Sequence, residues 1–144
     1  MIRLATIEDM PEILRMGENF FNASGYGELT TFNKDDTRNL VERLIETGTL
    51  LTDGKSTILG FIVFPIFMNV SYLMAQELFW WVDEDARNTG VGIKILRAAE
   101  ALAKEKGANL MIMLSLNDLN GEKVNKLYEK LGYKPKEQNY MRLL

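Results

Sequence analysis

The stretch Arg87-Asn88-Thr89-Gly90-Val91-Gly92 has the residue types and spacing to hold an anion. An apolar segment, Leu78-Phe79-Trp80-Trp81-Val82, precedes it. An amphipathic segment from about Val91 to Lys106 follows, with Ile93, Leu96, Ala99 and Leu102 along one stripe. A turn that delivers two glycines into a helix start leaves main-chain N–H groups unpaired and pointing outward. The positive end of the helix adds to their pull on negative charge. The R-x-x-G-x-G spacing therefore suggests a phosphate-bearing ligand. Amides from Asn88, Thr89, Gly90, Val91 and Gly92 could donate to a diphosphate, with the glycines permitting close approach. Arg87 could add a charge-assisted contact or stand as a solvated turn arginine. A dinucleotide turn would need a third glycine and a place after the first strand. A P-loop would need Gly-Lys-[Ser/Thr], whereas Ile93-Lys94 follows Gly92. A tight turn without any ligand is the plain alternative.

Two absences narrow the chemistry further. The chain has neither histidine nor cysteine, so no Ser-His-Asp triad, Cys-His pair, disulfide or histidine-based metal site can be built, and no metal is expected. A base must be a carboxylate, lysine, tyrosine or water. A formal charge of -3 argues against broad nucleic-acid binding. No apolar run is long enough to span a bilayer, since Gly60 and Pro65 interrupt the stretch from Ile58 to Met68. The opening residues carry no visible secretory signal. With the lack of cysteine, this fits a cytoplasmic protein without a membrane partner. At 144 residues, 47% apolar and 26% charged, residues 1–144 read as one domain with a real core.

The elements that must position the turn can be read along the chain. Ile2 to Ala5 suggests an edge strand. Asp9 resembles a helix N-cap with Glu12 as its capping-box partner, and Pro11 suits the first turn. Ile13, Leu14, Met16, Phe20 and Phe21 carry that helix to about Asn22. A second helix is expected from Lys34 to Thr47, with Leu40, Val41, Leu44 and Ile45 inward and Gly48 as its stop. Strands at Thr49 to Thr52 and Thr57 to Phe64 flank the hairpin signal Asp53-Gly54, with Pro65 as an interruption. A third strand spans about Ala75 to Val82. After the glycine turn and its helix, Leu110 to Leu114 reads as a strand buried on both faces. A last helix covers about Glu122 to Leu131, and Tyr133 to Leu144 could supply one or two more strands. This order gives a mixed α/β sheet rather than alternating βαβ units.

Three segments in register then point to a family. Val82-Asp83-Glu84-Asp85-Ala86-Arg87-Asn88-Thr89-Gly90-Val91-Gly92 resembles the acetyl-CoA-binding core of the Gcn5-related N-acetyltransferases, V-D-P-x-x before [QR]-x-x-G-x-[GA]. Arg3-Leu4-Ala5-Thr6-Ile7-Glu8-Asp9 is similar to that family's R-x-A-T-x-x-D opening. Leu127-Tyr128-Glu129-Lys130-Leu131-Gly132-Tyr133 is similar to its L-Y-x-x-x-G-[FY] near the C-terminus. Glu84 replaces the frequent proline. Gly121 stands where the family often has asparagine, with Asn120 one residue earlier.

The resemblance implies a largely antiparallel sheet of about six or seven strands with about four helices and splayed central strands. It also implies acetyl transfer from acetyl-CoA, as co-substrate, to a small-molecule or peptide amine. Backbone groups of Trp80, Trp81 and Val82 would hold the pantetheine arm, although one tryptophan reads equally as core. Leu110 to Leu114 would diverge from Ala75 to Val82 to open that gap. Tyr128 would be the acid for the leaving thiolate, or a helix-stripe aromatic satisfied elsewhere. Glu77, read on the face of Phe79 and Trp81, could be the base, an ammonium anchor or a paired structural charge. Direct attack in a ternary complex is favoured, since no cysteine can carry the acetyl group. Asn120 reads first as a helix cap and otherwise as a cofactor contact. For the acceptor, Tyr26, Phe32 and the bend containing Tyr72 are candidates, while Phe20 and Phe21 read as core before pocket. Polyamine, antibiotic, amino acid, peptide N-terminus or protein lysine all remain open as acceptor, and a homodimer is possible.

Overall fold

The computed structural model describes residues 1–144. Five strands form one sheet in the order β1 (Arg3–Leu4), β2 (Leu50–Thr52), β3 (Thr57–Ile66), β4 (Asn69–Val82) and β5 (Leu110–Ile112). Neighbours run antiparallel except β4 and β5, which are parallel. Helices α1 (Met10–Ala23) and α2 (Lys34–Thr47) connect β1 to β2, α3 (Val91–Glu105) connects β4 to β5, and α4 (Gly121–Lys130) follows β5.

Local chemistry explains the boundaries. The Asp53 carboxylate accepts from the N–H groups of Lys55, Ser56 and Thr57 at 3.0, 2.7 and 3.0 Å. It thereby fixes the β2–β3 turn. Burial pushes this carboxyl up, but its hydrogen bonds outweigh burial and hold it at about 2. Asn33 caps α2 by accepting from Asp36 N–H at 3.0 Å. Gly48 closes that helix in the left-handed region, at φ 66°.

Helices cover both faces of the sheet, so two cores form. On one face Ile13 and Met16 of α1 and Val41 and Leu44 of α2 pack on Ile58, Phe79 and Trp81. On the other, Ile95, Leu96 and Ala99 of α3 and Tyr128 of α4 pack on Leu59, Phe61 and Ala75.

Several expectations are corrected. The sheet has five strands rather than six or seven, because Tyr133 to Leu144 forms none. Pro135 lacks a ladder donor, and almost all of that tail is exposed, so no apolar face is buried to pin a strand. Asp9 is not the side-chain cap of α1. It accepts from Thr6 N–H at 2.9 Å and takes both terminal nitrogens of Arg3 at 2.7 and 2.8 Å. The Arg3 guanidinium is the main reason that its carboxyl falls to about 2. Leu110 to Leu114 is not doubly buried, since β5 stops at Ile112 and Leu110 is 41% exposed. β3 runs two residues past Phe64, to Ile66, and the interruption expected at Pro65 is present as a register shift between Pro65 and Ile66.

A second register shift decides the site. Gly60 pairs with Phe79 and Phe61 with Glu77, so Leu78 is an extra residue on β4. This bulge switches the alternation of β4. Glu77 therefore lies on the face of its partner Phe61 and of Ala75, not on that of Phe79 and Trp81. The period-2 reading fails here because a bulge leaves no mark in the spacing of apolar residues.

Candidate active site

β4 and β5 pair only at Met74–Leu110, Ala75–Met111 and Gln76–Ile112. Beyond that they part, as expected. The opening is bridged by side chains instead of a ladder. Glu77 accepts from Leu114 N–H at 2.9 Å, and Tyr128 donates its hydroxyl to the Leu114 carbonyl at 2.7 Å. The two candidate catalytic side chains thus meet on the two polar groups of one residue.

Burial tunes both. Glu77 is 4% exposed, and desolvation raises its carboxyl to about 7 despite the Leu114 N–H. Desolvation, then the nearby Glu77 charge, raises the Tyr128 phenol well above its ordinary range. Tyr128 therefore stays protonated at neutral pH and holds its proton more tightly than a free phenol, beside a carboxyl poised to lose or gain one.

The parting of the strands opens a cavity of about 510 Å³ that contains Glu77 and Tyr128 in its wall. One end reaches the glycine turn, where Arg87, Asn88, Gly90 and Gly92 border it. Here the free donors can be counted. Thr89 N–H is used by Ala86 O at 3.4 Å, and Val91 N–H by Thr89 Oγ1 at 3.4 Å. The N–H groups of Asn88, Gly90, Gly92 and Ile93 make no hydrogen bond within the chain. Ile93 completes the set, although the glycine spacing does not single it out.

The two glycines do different work. Gly90 stands at φ 85°, where a side chain is strained, and nothing lies within 4 Å of where a Cβ would be. At Gly92 a Cβ would come within 3.3 Å of Val82 Cγ2 and 3.4 Å of Trp80 Cζ2. Gly92 thus lets the first turn of α3 rest on β4. Arg87 is not a free solvated side chain. Its Nε donates to Val82 O at 3.0 Å, and its guanidinium lies 5.0 Å from the Trp81 ring centre.

The tryptophans divide as one core and one cavity residue. Trp81 packs in the core under α1, its indole donates to Asp83 at 2.7 Å, and its carbonyl accepts from Thr57 Oγ1 at 2.7 Å. Its backbone therefore faces β3. By alternation the backbone groups of Trp80 and Val82 face the open side. Trp80 also carries a buried indole N–H that no group of the chain accepts.

Residues beyond the motifs complete the wall. Lys123, Lys126 and Lys130 of α4 line the cavity with Arg87. Their spacing along one helix face was the signal available in the sequence. Lys123 Nζ also reaches Asn88 Oδ1 at 3.4 Å, tying α4 to the turn. Asn120 borders the cavity, but its side chain makes no capping bond, because it holds a left-handed backbone at φ 52°. Tyr26, Phe32 and Tyr72 do not line the cavity. Phe32 packs against Phe21 with ring centres 5.6 Å apart and the rings tilted, and Tyr72 is 51% exposed on β4 beyond the β5 ladder. Phe20 does line it, contrary to a purely core reading.

Comparison with known proteins agrees with this fold. A family model described as an acetyltransferase (GNAT) domain matches residues 46–135. An uncharacterized N-acetyltransferase of Chlorobaculum tepidum is 25% identical over 139 residues, covering 96% of this chain and 78% of that protein. The crystal structure of a ribosomal-protein-alanine N-acetyltransferase from Brucella melitensis biovar Abortus 2308 superposes with a TM-score of 0.72 at 17% identity, covering 100% of this chain and 99% of the other. That of a GCN5-related N-acetyltransferase from Ralstonia eutropha JMP134 gives 0.74 at 19% identity, covering 99% and 97%. At such identities the structures speak for the fold alone. The family match extends from the end of α2 through α4, across the bulged strand, the glycine turn and Tyr128, and with it the chain belongs to the GNAT acetyltransferase family.

Proposed function

We propose that the protein transfers the acetyl group of acetyl-CoA to a primary amine by direct attack within a ternary complex. The observation that carries this reading is the parted β4–β5 edge, with free turn amides at one end of its cavity and Glu77 and Tyr128 within it. The N–H groups of Asn88, Gly90, Gly92 and Ile93, with Arg87 and the α4 lysines, supply donors and positive charge for a diphosphate. The open-edge backbone of Trp80 and Val82 offers strand-like bonds to an amide-bearing arm. The thioester supplies an activated acetyl group.

The chain's own groups supply the proton transfers. As the amine nitrogen bonds to the acetyl carbon, the ammonium proton must leave, and Glu77 in its ionised form can take it directly or through water. Bulged-strand amides near Leu78 and Trp80 would stabilise the oxyanion. As the carbon–sulfur bond breaks, Tyr128 gives its phenolic proton to the thiolate. Its hydroxyl hydrogen turns from Leu114 O to do so.

The same two bonds to Leu114 favour a second reading. Glu77 and Tyr128 could serve only to prop the strands apart, making the domain an acyl-CoA-binding module without turnover. Thiol release from acetyl-CoA over a panel of amines separates the two. Amine-dependent release, cut by about a hundredfold in Tyr128→Phe with acetyl-CoA affinity kept, is the transferase outcome. Binding of acetyl-CoA without release for any amine is the module outcome.

A further inference from the structure

The cavity crosses the sheet. Trp80, Val124 and Tyr128 belong to the core under α3 and α4, whereas Phe20 and Leu119 belong to the core under α1 and α2. All five line the same space. The gap beyond Gln76–Ile112 is thus a passage from one face to the other.

The two ends differ in character. On the α3–α4 side stand the turn amides and four cations, Arg87, Lys123, Lys126 and Lys130. On the α1 side the wall holds Phe20 and Leu119, with the Phe20 ring tilted at 54° against Phe79 at 6.4 Å between centres; Leu114 and Leu116, in the segment that leads from β5 to Leu119, also line the space. Glu77, between them, is the single acid of the lining.

We infer that the acceptor is a monoamine with an apolar or aromatic substituent, which enters from the α1 side and leaves its substituent against Phe20, Leu116 and Leu119. The inference rests on the acetyl-transfer reading above and narrows its substrate class. Glu77 can compensate one ammonium at the reacting position. A second ammonium on the same molecule would lie against leucine and phenylalanine, or face the cations across the sheet. A buried charge without a partner is strongly disfavoured. An uncharged apolar substituent instead covers side chains that are only half-buried.

A matched pair tests this. Hexylamine and 1,6-diaminohexane have the same reach and differ only in a terminal methyl against a second ammonium. Acetyl-CoA turnover with each, together with phenethylamine and spermidine, is read by thiol release, and acetyl-CoA affinity by calorimetry. The expected result is a kcat/KM at least about tenfold higher for hexylamine than for the diamine, with phenethylamine above spermidine. Leu116→Asp should move the hexylamine-to-diamine ratio toward the diamine while acetyl-CoA still binds. Equal or better use of the diamine and spermidine by the wild-type protein overturns the substrate class and leaves acetyl transfer standing. No release with any amine overturns the transfer reading, and the acceptor class with it.

Discussion

The two sides of the passage between β4 and β5 are built on different terms. The α3–α4 side works through the main chain: free N–H groups, a glycine at which a Cβ would press on Val82 and Trp80, and an open strand edge, with lysines around them. The α1 side offers apolar side chains, Phe20 on a helix and Leu119 on a connecting segment that also carries Leu116. Backbone recognition constrains residue type tightly, because only certain residues permit the conformation. Apolar lining accepts any side chain of suitable bulk. A fixed ligand part and an exchangeable one call for these two kinds of surface.

Substitutions on either side, or between them, should separate in what they change. The largest effect belongs to Glu77, at the crossing. Glu77→Gln keeps an acceptor for Leu114 N–H and removes the titrating group. Turnover should fall by roughly a hundredfold, and the rise in rate as the wild-type carboxylate forms near pH 7 should vanish. The stability of the two proteins should diverge as well. Burial keeps Glu77 protonated in the folded chain to about 7, above its ordinary 4.5. The folded state therefore binds more protons than the unfolded one between those values. This contribution to stability is present below about pH 4.5 and is lost as pH rises through about 7. Denaturant titrations across that window should show the loss in the wild-type protein and not in Glu77→Gln. Parallel pH profiles of rate and stability would remove Glu77 from the chemistry.

Next comes Gly92→Val, confined to the α3–α4 side. Its added atoms press on Val82 and Trp80, an overpacking of about 1–3 kcal/mol. Acetyl-CoA affinity should drop at least about tenfold as α3 lifts from β4, while the preference among amines stays as it was. A change in that preference would mean that the two ends are not separate. The smallest effect is expected from Arg87→Gln. Nε holds Val82 O and the guanidinium lies over Trp81, so losing it should weaken acetyl-CoA binding by roughly fivefold, about 1 kcal/mol. The weakening should shrink as salt screens the charge.

How much of this was legible in the sequence follows the same division. The glycine turn, Tyr128, the bounds of α2 and the parting of the strands were readable, because each rests on a local residue requirement or on the family resemblance those residues carry. The bulge at Leu78 was not, since it is set by pairing with β3 rather than by β4's own pattern. That one extra residue moved Glu77 to the other face. Tyr26, Phe32 and Tyr72 were offered for the acceptor on aromatic type alone, and packing put them elsewhere. Leu116 and Leu119 sit in a segment without regular structure, where neither period nor turn chemistry marks a lining residue. The lysines of α4 were not singled out despite their spacing, because their relation to the turn appears only once α4 folds back toward Asn88.

Calorimetric titration of CoA into the unaltered protein goes straight to the grip of the turn on a diphosphate beside an open strand edge. One saturable site is expected, with affinity that weakens as salt is added, and with a rise in unfolding temperature when CoA is bound. Neither heat nor a shift in unfolding temperature at millimolar CoA would mean that the free amides from Asn88 to Ile93 serve no such ligand.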